Sequence, residues 1–261
     1  MTTSDGVLRL RGATLGGGSP QVCVPLVADS PDAAAAAAAA LPAGVADVVE
    51  LRLDHLTGSA DDTGLVRAAV VAVRDALPAD VPLLATFRSA REGGAQPAGD
   101  EAYVRTVRAV IDGAAGSAGV GADAVDVELA TPGVERLVAD AQAAGLVVVV
   151  SHHDFAATPP ADDLVAVLRR QRAVGADVCK VAVMPHDVDD VLALLTATRT
   201  FARDADRPVV TVAMGRLGLV TRLAGGVFGS ALTFGSVGAA SAPGQVDAAR
   251  LRDVLGLLHA P

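Results

Sequence analysis

The chain has 261 residues, 51% of them hydrophobic and 2% aromatic, with a net charge of −9. So acidic and ring-poor a chain lacks the basic face and stacking surfaces of a nucleic-acid binder, although local arginines can still hold a small anion. No apolar run approaches the roughly 18 residues of a membrane span, the N-terminus carries no basic-then-apolar leader, and Cys23 and Cys179 sit singly in apolar runs, so a cytoplasmic protein with no membrane partner and no disulfide framework is expected.

In chain order, Val7–Leu15 reads as a small hairpin. Apolar, β-rich runs then recur at Val22–Val27, Asp47–Leu53, Pro82–Phe87, Ala124–Leu129, Leu146–Ser151, Asp177–Val183, Pro208–Ala213 and Val227–Phe234. Their near-continuous Val, Leu and Ala content is that of parallel strands covered on both faces. Between them lie helical segments: Pro31–Leu41 with its run of alanines, Asp61–Leu77, Asp100–Ala115, Gly133–Ala144, Pro160–Ala173 and Asp187–Ala202. A short helix near Leu217–Leu223 and a last one at Gln245–Leu258 complete the set. Alanine loses little side-chain entropy in a helix, and acidic residues at several starts suit capping and the helix dipole. Strands alternating with helices in this number predict an α/β fold, a (β/α)8 TIM barrel forming one catalytic domain over residues 1–261, with the hairpin over its base. The competing open, doubly wound sheet favours a glycine-rich turn after its first strand, where this chain has Leu26-Val-Ala-Asp29. The glycines of 225–229 and 235–238 match no phosphate-loop pattern and are read as turns and close packing.

The active site of such a barrel sits at the carboxyl ends of its strands, and ionisable residues collect there. Glu50, Arg52 and Asp54 are spaced by two and share a face. Arg88 ends the third strand, followed by Arg91-Glu-Gly-Gly94. Asp126 and Glu128 lie on the fourth strand and are read as polar layers that support the site. Ser151-His-His-Asp154 ends the fifth. Met214 and Arg222 follow the seventh, and Ser241 and Gln245 follow the eighth. Glu50 and Arg52 are equally compatible with a structural ion pair.

Position 180 stands apart. The chain has 21 basic residues, of which one, Lys180, is lysine and the other 20 are arginine. Arginine keeps charge and hydrogen bonding but cannot serve as a neutral amine, so the exception points to amine chemistry at a position inside the apolar run Asp177-Val-Cys-Lys-Val-Ala-Val183. Burial and nearby arginine charges are expected to favour the neutral amine. Such an amine attacks a ketone to form an imine, and the protonated imine acidifies the adjacent C–H bond. A histidine removes that proton and returns it to a departing hydroxyl, while arginines hold a substrate carboxylate. No metal or organic cofactor is needed. A lysine-dependent aldolase would share the imine but break a carbon–carbon bond. A binding barrel without turnover is the third alternative.

On these residues the chain resembles the type I 3-dehydroquinate dehydratases of the shikimate pathway, from about Val22 to Val254. The matching stretches are Glu50-Leu-Arg-Leu-Asp54, Thr86-Phe-Arg-Ser-Ala-Arg-Glu-Gly-Gly94, Asp126-Val-Glu-Leu129, Ser151-His-His-Asp-Phe155 with Thr158-Pro159, and Lys180-Val-Ala-Val-Met-Pro185. Met214-Gly-Arg-Leu-Gly218 through Arg222, Phe228-Gly-Ser-Ala-Leu-Thr-Phe-Gly235 and Ser241-Ala-Pro-Gly-Gln245 follow. The resemblance implies a (β/α)8 barrel, usually dimeric, that converts 3-dehydroquinate to 3-dehydroshikimate through a lysine Schiff base and belongs to aromatic amino acid biosynthesis. It implies Lys180 as the imine-forming lysine, His153 as the proton shuttle and Glu92 as the carboxylate paired with it. Glu50, Arg52 and Arg88 would bind substrate, Arg222 would clamp its carboxylate, and Ser241 and Gln245 would lie on a loop closing over it. The chain departs from the family at three places. His152 precedes the matched histidine; strand alternation places His153, not His152, on the side of Ser151. Leu51 and His55 stand where aromatic residues are common. Pro25 replaces a serine found near the ligand in some relatives, so no contact is expected there.

Overall fold

The computed structural model describes residues 6–115, 121–238 and 242–259. An antiparallel hairpin, β1 (Leu8–Leu10) and β2 (Ala13–Leu15), opens the fold. It is followed by β3 (Gln21–Leu26), α1 (Pro31–Ala39), β4 (Val48–Arg52), α2 (Thr63–Ala76), β5 (Leu83–Thr86), α3 (Asp100–Ala115), β6 (Ala124–Glu128) and α4 (Val134–Ala143). Then come β7 (Val147–Asp154), α5 (Ala161–Ala173), β8 (Val178–Val183), α6 (Val188–Asp204), β9 (Val209–Ala213), α7 (Leu219–Ala224), β10 (Leu232–Ser236), β11 (Val246–Asp247) and α8 (Ala248–Leu258). Strands β3 to β9 pair in parallel in sequence order, and β10 pairs with β3. A parallel bridge between Val209 and Ser230, with Ala231 N donating to Val209 O at 2.7 Å, closes the ring. The expected TIM barrel and its hairpin are therefore both present. No helix among the described residues is long and apolar enough to cross a membrane.

Strand alternation divides the core. Outward-facing Val49, Leu51, Leu83, Ala85, Val125, Val127, Val148, Val150, Cys179 and Val181 pack against the helices. Inward-facing Cys23, Val48, Leu84, Ala124, Val147, Val149, Val178, Val210 and Leu232 form a separate cluster with Leu8, Ala13 and Leu15 of the hairpin. The hairpin is thus an apolar stopper in the bottom of the barrel. Arg11 at its turn, with φ 47, ties it down through Asp123 and the Ala79 carbonyl. Stepping two residues up β4 to β8 replaces these apolar side chains by Glu50, Thr86, Asp126, Ser151 and Lys180, while β9 and β10 continue with apolar Val212 and Phe234. The lumen therefore turns polar halfway up on the side of β4 to β8 and stays apolar opposite.

Several helix starts are capped as their sequences suggest. Ser30, Asp62, Asp187 and Asp247 each accept a hydrogen bond from a backbone N–H in the first turn that follows. Two strand boundaries differ from expectation, and the last helix, expected from Gln245, begins at Ala248 because Val246–Asp247 pair with β10 as a short strand. The strand read at Val227–Phe234 begins only at Leu232, because Gly225–Phe228 coils into a 3-10 turn ended by Gly229 at φ 109. The turn places Gly226 where a Cβ would lie 2.6 Å from Pro20. The fifth strand runs beyond Ser151 to Asp154, because Ser151 to Asp154 continue in register with Lys180 to Val183 of β8.

Candidate active site

At the carboxyl ends of the strands a cavity opens to solvent. Glu50, Arg52, Arg88, Glu92, His153, Lys180, Arg222 and Gln245 all line it, with Thr86, Phe155, Ala182, Val212, Met214 and Phe234 supplying the remaining walls. Eight of the nine residues singled out from sequence thus meet in one place. The ninth, Ser241, lies outside the described residues.

Lys180 projects from the middle of β8, 5% exposed, its main-chain carbonyl held by Gln171 Nε2 at 2.7 Å. Its Nζ lies 3.2 Å from Asp126 Oδ2, 3.6 Å from Glu50 Oε1 and 4.7 Å from the centroid of the Phe234 ring. The nearest charges to the amine are carboxylates, not the arginines anticipated from sequence. Asp126 is anchored in turn by Arg88 at 2.8 Å and by the Ser151 hydroxyl at 2.6 Å. Burial alone would raise the Asp126 carboxyl, but the Arg88 and Lys180 cations hold it well below the usual carboxylate range.

His153 shares the inward side of β7 with Ser151, as alternation requires. Its Nδ1 is 2.8 Å from Glu92 Oε2, and its backbone N–H donates to the same oxygen at 3.1 Å. Burial, reinforced by the charge of Arg88, lowers the imidazole to about 3 against the pull of Glu92. The ring is therefore neutral near pH 7. A carboxylate can only accept, so Nδ1 carries the proton and Nε2 keeps a free lone pair. Burial also raises the Glu92 carboxyl, but the nearby His152 ring and the hydrogen bond with His153 outweigh that and bring it down to about 2. His152 faces the other way, with 31% of its side chain exposed against 10% for His153, and does not line the cavity.

The loop after β5 brings Glu92 to this position. Residues Ala90–Glu92 form a 3-10 turn ended by Gly93 at φ 83. The next residue folds back so closely that a Cβ on Gly94 would lie 1.8 Å from the Arg88 carbonyl oxygen, which only glycine permits. Arg88 itself is fully enclosed by acceptors, reaching Glu128 at 3.0 Å and Ser151 at 3.0 Å besides Asp126. Arg52 grips Asp54 with two parallel bonds of 2.8 and 2.7 Å. Glu50 instead accepts from the Thr86 hydroxyl at 2.9 Å and faces Lys180. Glu50 and Arg52 are thus not each other's partner, despite their spacing.

Arg222 is different. It stands on α7, which Thr221 Oγ1 pins to β9 by accepting from the Ala213 N–H at 2.9 Å. One NH2 donates to the Pro243 carbonyl at 3.1 Å, and its buried Nε has no hydrogen-bond partner among the described residues. Burial lowers its guanidinium to about 10, which leaves it cationic at neutral pH. A buried cation with an idle donor, aimed into a cavity, is a receptor for an anion such as a carboxylate.

Sequence reasoning did not assign two features. Asp126, read as part of a supporting layer, touches the lysine directly. Phe234 packs its ring against the amine. In the barrel they lie two residues beyond inward-facing Ala124 and Leu232, and strand alternation was the available signal.

The sequence model of type I 3-dehydroquinase matches residues 22–261. The 3-dehydroquinate dehydratase of Klebsiella pneumoniae (strain 342) is 45% identical over 244 residues, covering 92% of this chain and 94% of that one. That of Listeria monocytogenes serotype 4b (strain F2365) is 43% identical over 252 residues, covering 96% and 97%. Among solved structures, the 3-dehydroquinate dehydratase of Geobacillus kaustophilus HTA426 superposes with a TM-score of 0.90 at 35% identity, covering 99% of this chain and 98% of that one. The type I enzyme of Clostridium difficile, with covalently modified comenic acid, superposes with a TM-score of 0.89 at 35% identity, covering 97% and 98%.

Proposed function

The chain belongs to the type I 3-dehydroquinase family, and from that premise we propose that it dehydrates 3-dehydroquinate to 3-dehydroshikimate, in the shikimate pathway, through a Schiff base on Lys180. The observation that carries this reading is one cavity holding a buried amine, a neutral imidazole with a free Nε2 lone pair and a cation with an idle donor.

The steps follow from the placement. Arg222 binds the substrate carboxylate and thereby orients the ketone toward Lys180. Lys180 Nζ adds to the carbonyl carbon; with one proton taken up from solvent, the former carbonyl oxygen leaves as water and a protonated imine remains. Asp126 and Glu50 stabilise that cation by charge and Phe234 by its ring face. The imine draws electrons from the neighbouring carbon, and His153 Nε2 takes its proton. The imidazolium so formed lies against Glu92, which offsets its burial. It returns the same proton to the departing hydroxyl, which leaves as water. Hydrolysis of the conjugated imine releases the enone and restores the amine.

Borohydride added during turnover reduces the imine and fixes it. The expected result is one ligand mass on the peptide containing Lys180. A fully active Lys180→Ala variant that forms no adduct overturns the assignment. A cytoplasmic homodimer completes the proposal. It is supported by exposed Val188 and Leu192 on α6, Leu217 just before α7, Val220 on α7 and Val227 in the turn after it, and sedimentation of the free enzyme tests it.

A further inference from the structure

One carboxylate serves two imidazoles. Glu92 Oε2 takes Nδ1 of His153 at 2.8 Å, and Glu92 Oε1 faces Nδ1 of His152 at 3.8 Å. The two histidines are consecutive on β7, so their rings leave the strand on opposite sides. His153 sits in the cavity, while His152 reaches solvent. Glu92 is bound on its buried side by Arg88 at 3.5 Å, so the charge it has left is shared between the two rings.

We propose that His152 is a positioning residue for the Glu92–His153 pair: once protonated, it draws the Glu92 carboxylate to itself and weakens His153 as a base. The inference rests on the reaction proposed above. A proton from solvent binds His152; Glu92 stays ionised, and no covalent bond changes. The imidazolium that His153 must become during turnover then shares its counter-charge with a second cation. Two like charges on one carboxylate oppose each other, so each makes the other harder to form.

The surroundings of His152 favour its protonation. Glu92 from the 3-10 turn, Glu128 from β6 and Asp154 from its own strand are the charges that act on it, and its register partner on β8 is apolar Val181. The nearby cations are engaged with the same carboxylates, Arg88 on Glu92 and Glu128 and Arg91 on Glu128 at 3.8 Å. The Glu92 carboxylate beside it raises the His152 imidazole above its ordinary value, whereas burial lowers that of His153. The outer ring therefore charges in a pH range where the inner one stays neutral.

The test is the pH profile of kcat on 3-dehydroquinate for the full chain and its His152→Gln variant. The unsubstituted chain should lose activity in two stages. A first fall of roughly three- to tenfold, centred above the ordinary histidine value of about 6.5, should level off before the main loss at lower pH. His152→Gln should lack the first stage. A single-stage limb in the unsubstituted chain, or the same two stages in the variant, overturns the inference. If His152→Gln does not fold, NMR titration of the unsubstituted chain decides instead: His152 must titrate above His153, and the reverse order overturns the proposal. That titration needs no turnover. A chain that never consumes 3-dehydroquinate refutes the reaction, while the ring order still tests the sharing of Glu92.

Discussion

Replacing Glu92 by glutamine isolates what the carboxylate contributes to the base. The substitution keeps size and removes charge. In the resting enzyme Glu92 Oε2 accepts from the His153 ring at 2.8 Å and from its main-chain N–H at 3.1 Å. A carboxamide can still accept the main-chain bond, but its interaction with the imidazolium formed during proton transfer is no longer charge-assisted. Hydrogen bonds to charged groups contribute about 1.5–3 kcal/mol. At about 1.4 kcal/mol per decade, kcat should fall roughly 10- to 150-fold. Arg222, on α7, is untouched, so KM should change little, and Lys180 should still be trapped by borohydride. The assay is steady-state appearance of the ultraviolet-absorbing enone, paired with mass analysis of the trapped protein. A kcat within about twofold of the unsubstituted enzyme would refute the role of Glu92, because it would put the contribution below about 0.4 kcal/mol. A raised KM at unchanged kcat would make Glu92 a substrate-binding group instead.

The other predictions address the amine, the anion site and pH. Lys180→Arg keeps a cation between Asp126 and Glu50 but supplies no neutral amine, so it should form no borohydride adduct and show no measurable turnover. Arg222→Ala removes the partly idle cation; kcat/KM should drop roughly 10- to 150-fold through loss of a charge-assisted bond, and Lys should restore part of it, lacking the fork. Stability should fall in acid. His153 is lowered from 6.5 to about 3 by burial, so between those values the unfolded chain binds a proton that the folded chain refuses. The stabilisation is complete above pH ~6.5 and is lost as pH falls toward ~3, by up to roughly 5 kcal/mol at about 1.4 kcal/mol per unit. Urea unfolding at pH ~4.5 and ~7.5 should show the loss in the unsubstituted chain and a smaller one in His153→Asn.

Local alternation was enough to read much of this molecule. The spacing of Glu50, Arg52 and Asp54, the pairing of Ser151 with His153 on one side of a strand, and the lone lysine in an apolar run are properties of the chain itself. Side-chain direction repeats every two residues in any strand. They therefore located the barrel, its rim and the inward-facing histidine. The partners were not legible. Arg52 closes on Asp54 and leaves Glu50 to Thr86 and Lys180 because β4 turns into a 3-10 segment right after Arg52. Lys180 meets Asp126 across 54 residues of sequence, on a strand two places away in the sheet. The eighth strand starts late because Gly226 and Gly229 must coil past Pro20 and Ala202, a contact between distant segments. Which way a side chain points follows from its own strand. Which charge it meets follows from the curvature of the closed sheet and the turns above it, and these exist only once all eight strands have paired.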